Sequence, residues 1–206
     1  MRTPPPLALI VKFFTLLAKA FGAATGAARR RGRTFKFNPK VAKWTPQIRE
    51  VQCEVGTDLP EAFILAIISV ESEGDPKAHR PGAQFYGLTQ VGRAVAKETR
   101  TSRKKMGKGG TAGAKEAIRA FCRWYVRYEA RFQGAGFDRI AIGWKGGVGT
   151  LATYNKRVRA GKDHKAIQRW LDLSRWGTWK YVRKARAAHS IWSAPNPRTA
   201  PAVTVR

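Results

Sequence analysis

The chain has 206 residues, 43% of them hydrophobic and 26% charged. That suits one ordinary domain with tails; 20 glycines and 11 prolines are too few for a collagenous or low-complexity chain, and the apolar content excludes wholesale disorder. Forty Lys and Arg against 13 Asp and Glu give a net charge of +27, so the surface is expected to attract polyanions such as nucleic acid, anionic lipid or an acidic cell wall.

The first element is an apolar run from Leu7 to Ala28, long enough for a bilayer but interrupted by Lys12 and Lys19 on one helical face and followed by a basic cluster at 29–33. A signal peptide and a transmembrane span are both open readings. An amphipathic helix lying on a membrane or on a partner protein fits the pattern best. Residues 29–44 read as a basic linker.

Thr45-Pro46 then looks like a helix start and Gly56 like its stop, which predicts a helix over about 46–55. Asp58-x-x-Glu61 has the form of a capping box and opens the apolar helix AFILAIISVES, which ends at Gly74. A loop at 75–86, a helix at about 89–99 and a flexible basic loop at 100–113 follow. The stretch 114–133 is strongly amphipathic, with Ile118, Phe121, Tyr125, Tyr128 and Phe132 on one face. Arg119, Arg123, Arg127 and Arg131 recur on another face, as a solvated surface or a polyanion-docking row. Helices are expected at about 138–145, 150–160, 164–173 and 177–192, and a mobile tail after Ser193. No strand of clear period is evident. The organisation expected is an N-terminal helix and linker (1–44), one mainly α domain (45–192) and a flexible tail (193–206).

Charge and spacing single out one segment. Residues 57–99 hold four Lys or Arg and six acids, so this window is net −2 and the remainder +29. Within it, Glu71 follows Ile68, Ile67 and Ile64 by three, four and seven residues, which places it on the apolar face in the last helical turn. A carboxyl there is partly desolvated and meets the negative end of the helix dipole; both raise its pKa, as a general acid requires. A glutamate at the core rim, paired with a basic residue, is the plainer alternative. Glu73 points the other way, towards solvent. Three histidines and two cysteines, Cys53 and Cys122, offer no metal site, and no cofactor is expected. The two cysteines are expected as buried free thiols, with a single bridge as the alternative.

Glu71-Ser72, followed after a short loop by Gly87-Leu88-Thr89-Gln90, resembles the first two motifs of the lytic transglycosylase domain of the soluble Slt type, with Thr89 in the place of Met. The third motif of that family, Ala-Tyr-Asn-Ala-Gly-Pro-Gly, has a degraded counterpart in Gly143-Trp144-Lys145-Gly146-Gly147-Val148-Gly149; Leu151 to Asn155, with Tyr154, is a competing registration. The resemblance covers roughly residues 45–175 and implies a lysozyme-like fold. It also implies cleavage of the β-1,4 bond between N-acetylmuramic acid and N-acetylglucosamine in peptidoglycan, with Glu71 as the single acid and base and a 1,6-anhydro product. Substrate contacts are expected at Ser72, Tyr86, Gly87, Gln90, Trp144 and Tyr154. Gly87 permits a tight turn or close backbone approach, Gln90 offers an amide, and Tyr86 and Trp144 offer flat faces for sugar rings. Ordinary core or surface roles are the alternatives for each.

The resemblance, the charge and the hydrophobic head together suggest a cell-envelope (periplasmic) protein, delivered as a phage virion component or belonging to a bacterial secretion or conjugation system. Its partners would be glycan strands, with residues 1–44 on an anionic membrane or on virion or secretion-complex proteins, and nucleic acid on basic surfaces. Two rivals stand beside this reading. One is a goose-type lysozyme, which hydrolyses the same bond and needs a second carboxylate, for which Asp138 and Asp163 are distant candidates. The other is a nucleic-acid-binding or virion structural protein with a vestigial lysozyme fold.

Overall fold

A computed structural model describes residues 32–79, 84–132, 136–174 and 177–205. The N-terminal apolar helix expected within residues 1–31 lies outside them. Among the described residues, no helix is long and apolar enough to cross a membrane.

The protein is mainly helical, and Thr34–Val205 forms one compact unit. A short strand β1 (Arg33–Phe35) and helix α1 (Pro39–Ala42) precede α2 (Thr45–Val55) and the apolar α3 (Glu61–Glu71). Two short helices, α4 (Arg93–Glu98) and α5 (Arg103–Lys108), lead into the long α6 (Gly110–Phe132). Then come α7 (Phe137–Arg159), α8 (His164–Leu173), α9 (Thr178–Trp192) and a last strand, β2 (Val203–Val205). Helix α7 is two helical pieces that meet at a break at Gly147 (φ 81°, ψ 165°), within the segment aligned with the third motif.

α3 is the centre of the core. Ile64 to Val70 are all buried, because a helix that is apolar on every side has no face for water. It packs most extensively on α9, and α2 packs on both α3 and α6. One polar staple crosses the α3–α9 contact: Trp192 Nε1 donates to Ser69 Oγ at 2.8 Å, and Ser69 Oγ donates to the Leu65 carbonyl at 2.8 Å. Both buried polar groups are thereby satisfied, as a water-free contact demands.

Several local expectations are corrected. The tail read as mobile carries β2, which pairs with β1 and packs on α9; Thr34 and Thr204 share a hydroxyl hydrogen bond of 2.9 Å. Three-residue strands are too short to show a period, and their pairing joins opposite ends of the chain. β1 and α1 likewise fall in the segment read as linker. The basic stretch 100–113 holds α5 and the start of α6, with Ser102 Oγ capping α5 by accepting from Lys105 N. The capping box at Asp58 and Glu61 does not form: α3 has no side-chain cap, and Glu61 instead accepts from Arg49 Nε at 2.7 Å. Of the two free cysteines, Cys122 is buried, with its thiol pKa pushed up to about 12 by burial, whereas Cys53 is exposed on α2.

Three of the four arginines of the α6 row are matched by acids; of these Arg119 is mostly covered, while Arg123 remains partly and Arg127 largely exposed. Arg119 forks onto Glu54 (2.7 and 2.6 Å) and reaches Glu116 at 2.6 Å. Arg123 lies 3.8 Å from Glu54, and Arg127 lies 2.8 Å from Glu98. The acids come from α2, α4 and α6 itself, elements whose juxtaposition local sequence cannot reveal.

Candidate active site

The site begins with how α3 ends. Ser72 N and Glu73 N both donate to the Ile68 carbonyl at 3.0 Å, and the chain reverses through Glu73 (φ 54°) and Gly74 (φ 86°). A Cβ at Gly74 would sit 2.3 Å from the Lys40 carbonyl oxygen, so only glycine lets the reversal dock on α1. Trp44 Nε1 donates to the Gly74 carbonyl at 2.9 Å, and Asn38 Nδ2 donates to the Glu73 carbonyl at 3.3 Å. Glu71 therefore rides on a helix end clamped by α1. It is half-buried, while Glu73 is exposed. Ser72 caps the helix: its Oγ donates to the Ile68 carbonyl and accepts from Gly74 N, both at 3.3 Å.

The residue that Glu71 acts on is Tyr181, from the first turn of α9. Its phenol is buried, and burial, with the Glu71 charge, holds its pKa well above the ordinary value of 10.0. The Tyr181 hydroxyl is buried and no group, Glu71 included, meets it at good hydrogen-bond geometry, although Glu71 lies near enough for its charge to act on the phenol. A phenol kept protonated can donate to a neighbouring carboxyl oxygen, so Tyr181 is placed to orient the Glu71 side chain. The face of the same ring meets a cation: Lys145 Nζ lies 5.2 Å from the ring centroid, a cation–π contact. Tyr181 was not foreseen in the sequence. It belongs to no motif, and it reaches Glu71 only because α9 packs on α3.

The second motif folds as a closed turn. Tyr86 and Val91 exchange backbone hydrogen bonds (3.2 and 2.9 Å), and Gln90 N donates to the Gly87 carbonyl at 3.1 Å. Gly87 has φ 75°, and a Cβ there would come within 3.0 Å of Ala117 Cβ on α6, so the turn presses on that helix. This closed turn is why α4 starts at Arg93 rather than near residue 89. Leu88 and Thr89 are buried beneath it, and Thr89 Oγ1 donates to the Ala117 carbonyl at 2.9 Å. The hydroxyl of this fully buried residue is thus satisfied.

Gln90 adopts a left-handed backbone (φ 52°), and its Nε2 donates to the carbonyls of Ala78 (2.9 Å) and Gly87 (3.0 Å). Both amide protons brace the turn, which leaves only the Oε1 atom to meet a ligand. Tyr86 stacks on His79 at 4.7 Å and carries the Arg103 guanidinium 4.8 Å from its ring centre, so its faces already have neighbours.

Trp144, half-buried, packs edge-on against Phe121 (4.7 Å) and Trp124 (5.0 Å). Its Nε1 donates to the Thr89 carbonyl at 3.2 Å, which joins the second motif to the 143–149 registration of the third. The 143–149 segment thus touches the second motif through Trp144 and Tyr181 through Lys145. Tyr154 goes elsewhere. It lines an open hollow of about 520 Å³ with Phe137, Asp138, Arg186, His189 and Ser190, and Glu71 is not among the lining residues.

The carboxylates nearest in sequence or named as distant partners have other duties. Asp75 Oδ1 accepts from Lys77 N at 2.8 Å, and Asp163 Oδ2 caps α8 by accepting from Ala166 N at 2.9 Å. Asp138 forms a two-pronged pair with Arg186, with Nε donating to Oδ1 at 2.5 Å and Nη2 to Oδ2. Among the described residues, no group of three or more His, Cys, Asp and Glu is gathered in a way that could hold a metal ion.

No family model, no curated protein and no solved structure matches this chain.

Proposed function

We propose that the protein is a lytic transglycosylase that cuts the β-1,4 bond between N-acetylmuramic acid and N-acetylglucosamine in peptidoglycan. The observation that carries this reading is the placement of a half-buried Glu71 at the clamped end of an apolar helix, with the buried phenol of Tyr181 near it. The engagement of Asp75, Asp138 and Asp163 elsewhere favours a one-carboxyl route over a two-carboxyl hydrolysis.

In that route the protonated Glu71 carboxyl gives its proton to the glycosidic oxygen as the C1–O bond breaks. The acetamido oxygen of the muramic residue bonds to C1 and carries the positive charge. Glu71, now a carboxylate, takes the proton of the C6 hydroxyl, O6 attacks C1, and the acetamido oxygen leaves. The product is a 1,6-anhydro sugar, and Glu71 ends protonated as it began. Tyr181, near Glu71, is the group placed to orient the carboxyl through both halves. By the same reading the protein acts at the cell envelope, opening the wall locally for passage of a genome or another macromolecule.

The test is digestion of purified peptidoglycan by the wild type and by Glu71→Gln, with products identified by mass spectrometry. Anhydro-muropeptides from the wild type and none from Glu71→Gln are expected. Reducing-end products instead would assign a hydrolase, and no products from folded wild type would leave a non-catalytic wall-binding or structural protein.

A further inference from the structure

The α7–α8 corner carries a basic cluster that the proposed chemistry does not use. Lys156 and Arg159 lie on the last turn of α7, Lys162 on the connecting turn, and Lys165 and Arg169 one helical turn apart on α8. All five are exposed, and residues 158–166 form an unbroken exposed stretch. Among the described residues, none of the five forms an ion pair. Asp163, between Lys162 and Lys165, has its carboxylate on the α8 backbone, and Asp172 lies three residues beyond Arg169. Arg157, between them, is turned onto the Trp170 ring at 4.7 Å and ties α7 to α8, which fixes the corner.

Cations spaced three or four residues apart on a helix, as Lys156 and Arg159 or Lys165 and Arg169 are, repel one another. The α7 dipole offsets part of that cost at its C-terminus, but Lys165 and Arg169 have no such compensation. A surface like this is stabilised when a polyanion settles on it. We propose that the α7–α8 corner docks the phosphate backbone of double-stranded DNA through Lys156, Arg159, Lys162, Lys165 and Arg169.

Two observations favour DNA over an anionic membrane. A helix that lies in a bilayer surface needs a continuous free apolar face, yet Ile167 and Leu171 of α8 are buried in the core, and the apolar side chains exposed here, Val158 on α7 and Leu173 at the end of α8, are isolated from one another in sequence. A rigid, folded array of cations also suits a stiff polymer that presents one charge for about every 1.7 Å of its axis. The cluster offers cations without an array of amides for base edges, so binding is expected to be indifferent to sequence.

The experiment is fluorescence anisotropy of full-length protein with a labelled random-sequence duplex at two salt concentrations, about 50 and 200 mM. The wild type is compared with Arg159→Gln/Lys162→Gln/Lys165→Gln and with the equally discharged control Lys97→Gln/Lys104→Gln/Lys105→Gln. Three lost phosphate contacts reduce the salt slope by about 2.7, so the corner triple should lose about forty-fold less affinity over that fourfold salt step than the wild type. The control should keep the wild-type slope. Equal loss in the two triples would overturn the assignment and leave only diffuse attraction by net charge. So would unchanged DNA affinity with loss of binding to anionic phosphatidylglycerol vesicles. Muropeptide release by the corner triple should equal that of the wild type, which keeps this result independent of the wall-cleavage reading.

Discussion

Along α6, Arg119, Arg123 and Arg127 each reach an acid on α2, α4 or α6 itself, whereas at the α7–α8 corner Lys156, Arg159, Lys162, Lys165 and Arg169 reach none. Both regions look alike in sequence: regularly spaced cations on amphipathic helices. The difference lies in what the fold places opposite them. α6 lies beside the acid-bearing α2 and α4, so its arginines tie those elements together, Arg119 from a covered position and Arg123 and Arg127 from more exposed ones. The corner faces outward with two acids, Asp163, engaged in capping, and Asp172 near the end of α8, and neither forms an ion pair with the five cations. Cation density alone therefore identifies neither a binding face nor a structural one; neighbouring carboxylates decide it.

The largest effect expected from this contrast is at Arg119. Arg119→Ala leaves Glu116, a buried carboxylate, with only the Ser102 N–H at 2.6 Å. Losing the partner of such a buried charge costs about 3 kcal/mol. For a chain of this size the melting temperature should fall by about 6–12 °C. A melting temperature within about 2 °C of wild type would mean that the α6 row is ornamental.

A pH titration separates the two sides next. His189, half-buried between Phe63 and Phe137 on the α7–α9 side, has its pKa lowered from 6.5 by burial, with the charge of Asp138 opposing. The unfolded chain then takes up a proton first, so stability falls as pH drops below 6.5 towards the lower folded value. Glu54, on the α6 side, has its pKa lowered from 4.5, chiefly by the hydrogen bond from Arg119. Its contribution is present above 4.5 and is lost as pH falls through the lower folded value. Thermal melts from about pH 8 to about pH 3 should show two losses. The first should vanish in His189→Gln and the second should shrink in Arg119→Ala; a single loss unaffected by His189→Gln would contradict the assignment.

The smallest effects sharpen the contrast. Arg127, more exposed than Arg119 in its pair with Glu98, should cost about 0–1 kcal/mol when changed to Ala. Lys162→Ala and Lys165→Ala should each stay within about 0.5 kcal/mol of wild type by chemical denaturation, since no partner is lost. A loss above 1 kcal/mol at either lysine would mean that the corner, like α6, ties elements together.

Much of the helical order was legible in the sequence because it rests on local rules. α2 ends at Gly56 in a left-handed cap, α8 spans His164–Leu173 as its pattern predicts, and the glycine-rich segment breaks α7 at Gly147. Glu71 at the end of the apolar α3 followed from spacing alone. What sequence missed depends on distant neighbours. The 100–113 stretch looked like a loop, yet it forms α5 and the start of α6, and a buried Glu116 accepts from the backbone of Ser102 there. Gln90 looked like a ligand-facing amide, yet its donors brace the closed turn at Gly87.

The sequence by itself determined a basic chain, a mainly helical domain and a glutamate on the apolar face of its most hydrophobic helix. Those follow from composition, period and helix-stop residues, which act within a few positions of one another. Only tertiary structure decided which side chain lies near Glu71, which arginines are matched by acids, and that the two chain ends described pair as β1 and β2. Each of those depends on contacts between residues far apart in the chain, whose geometry is set by how the apolar faces of α3, α6 and α9 find a common core.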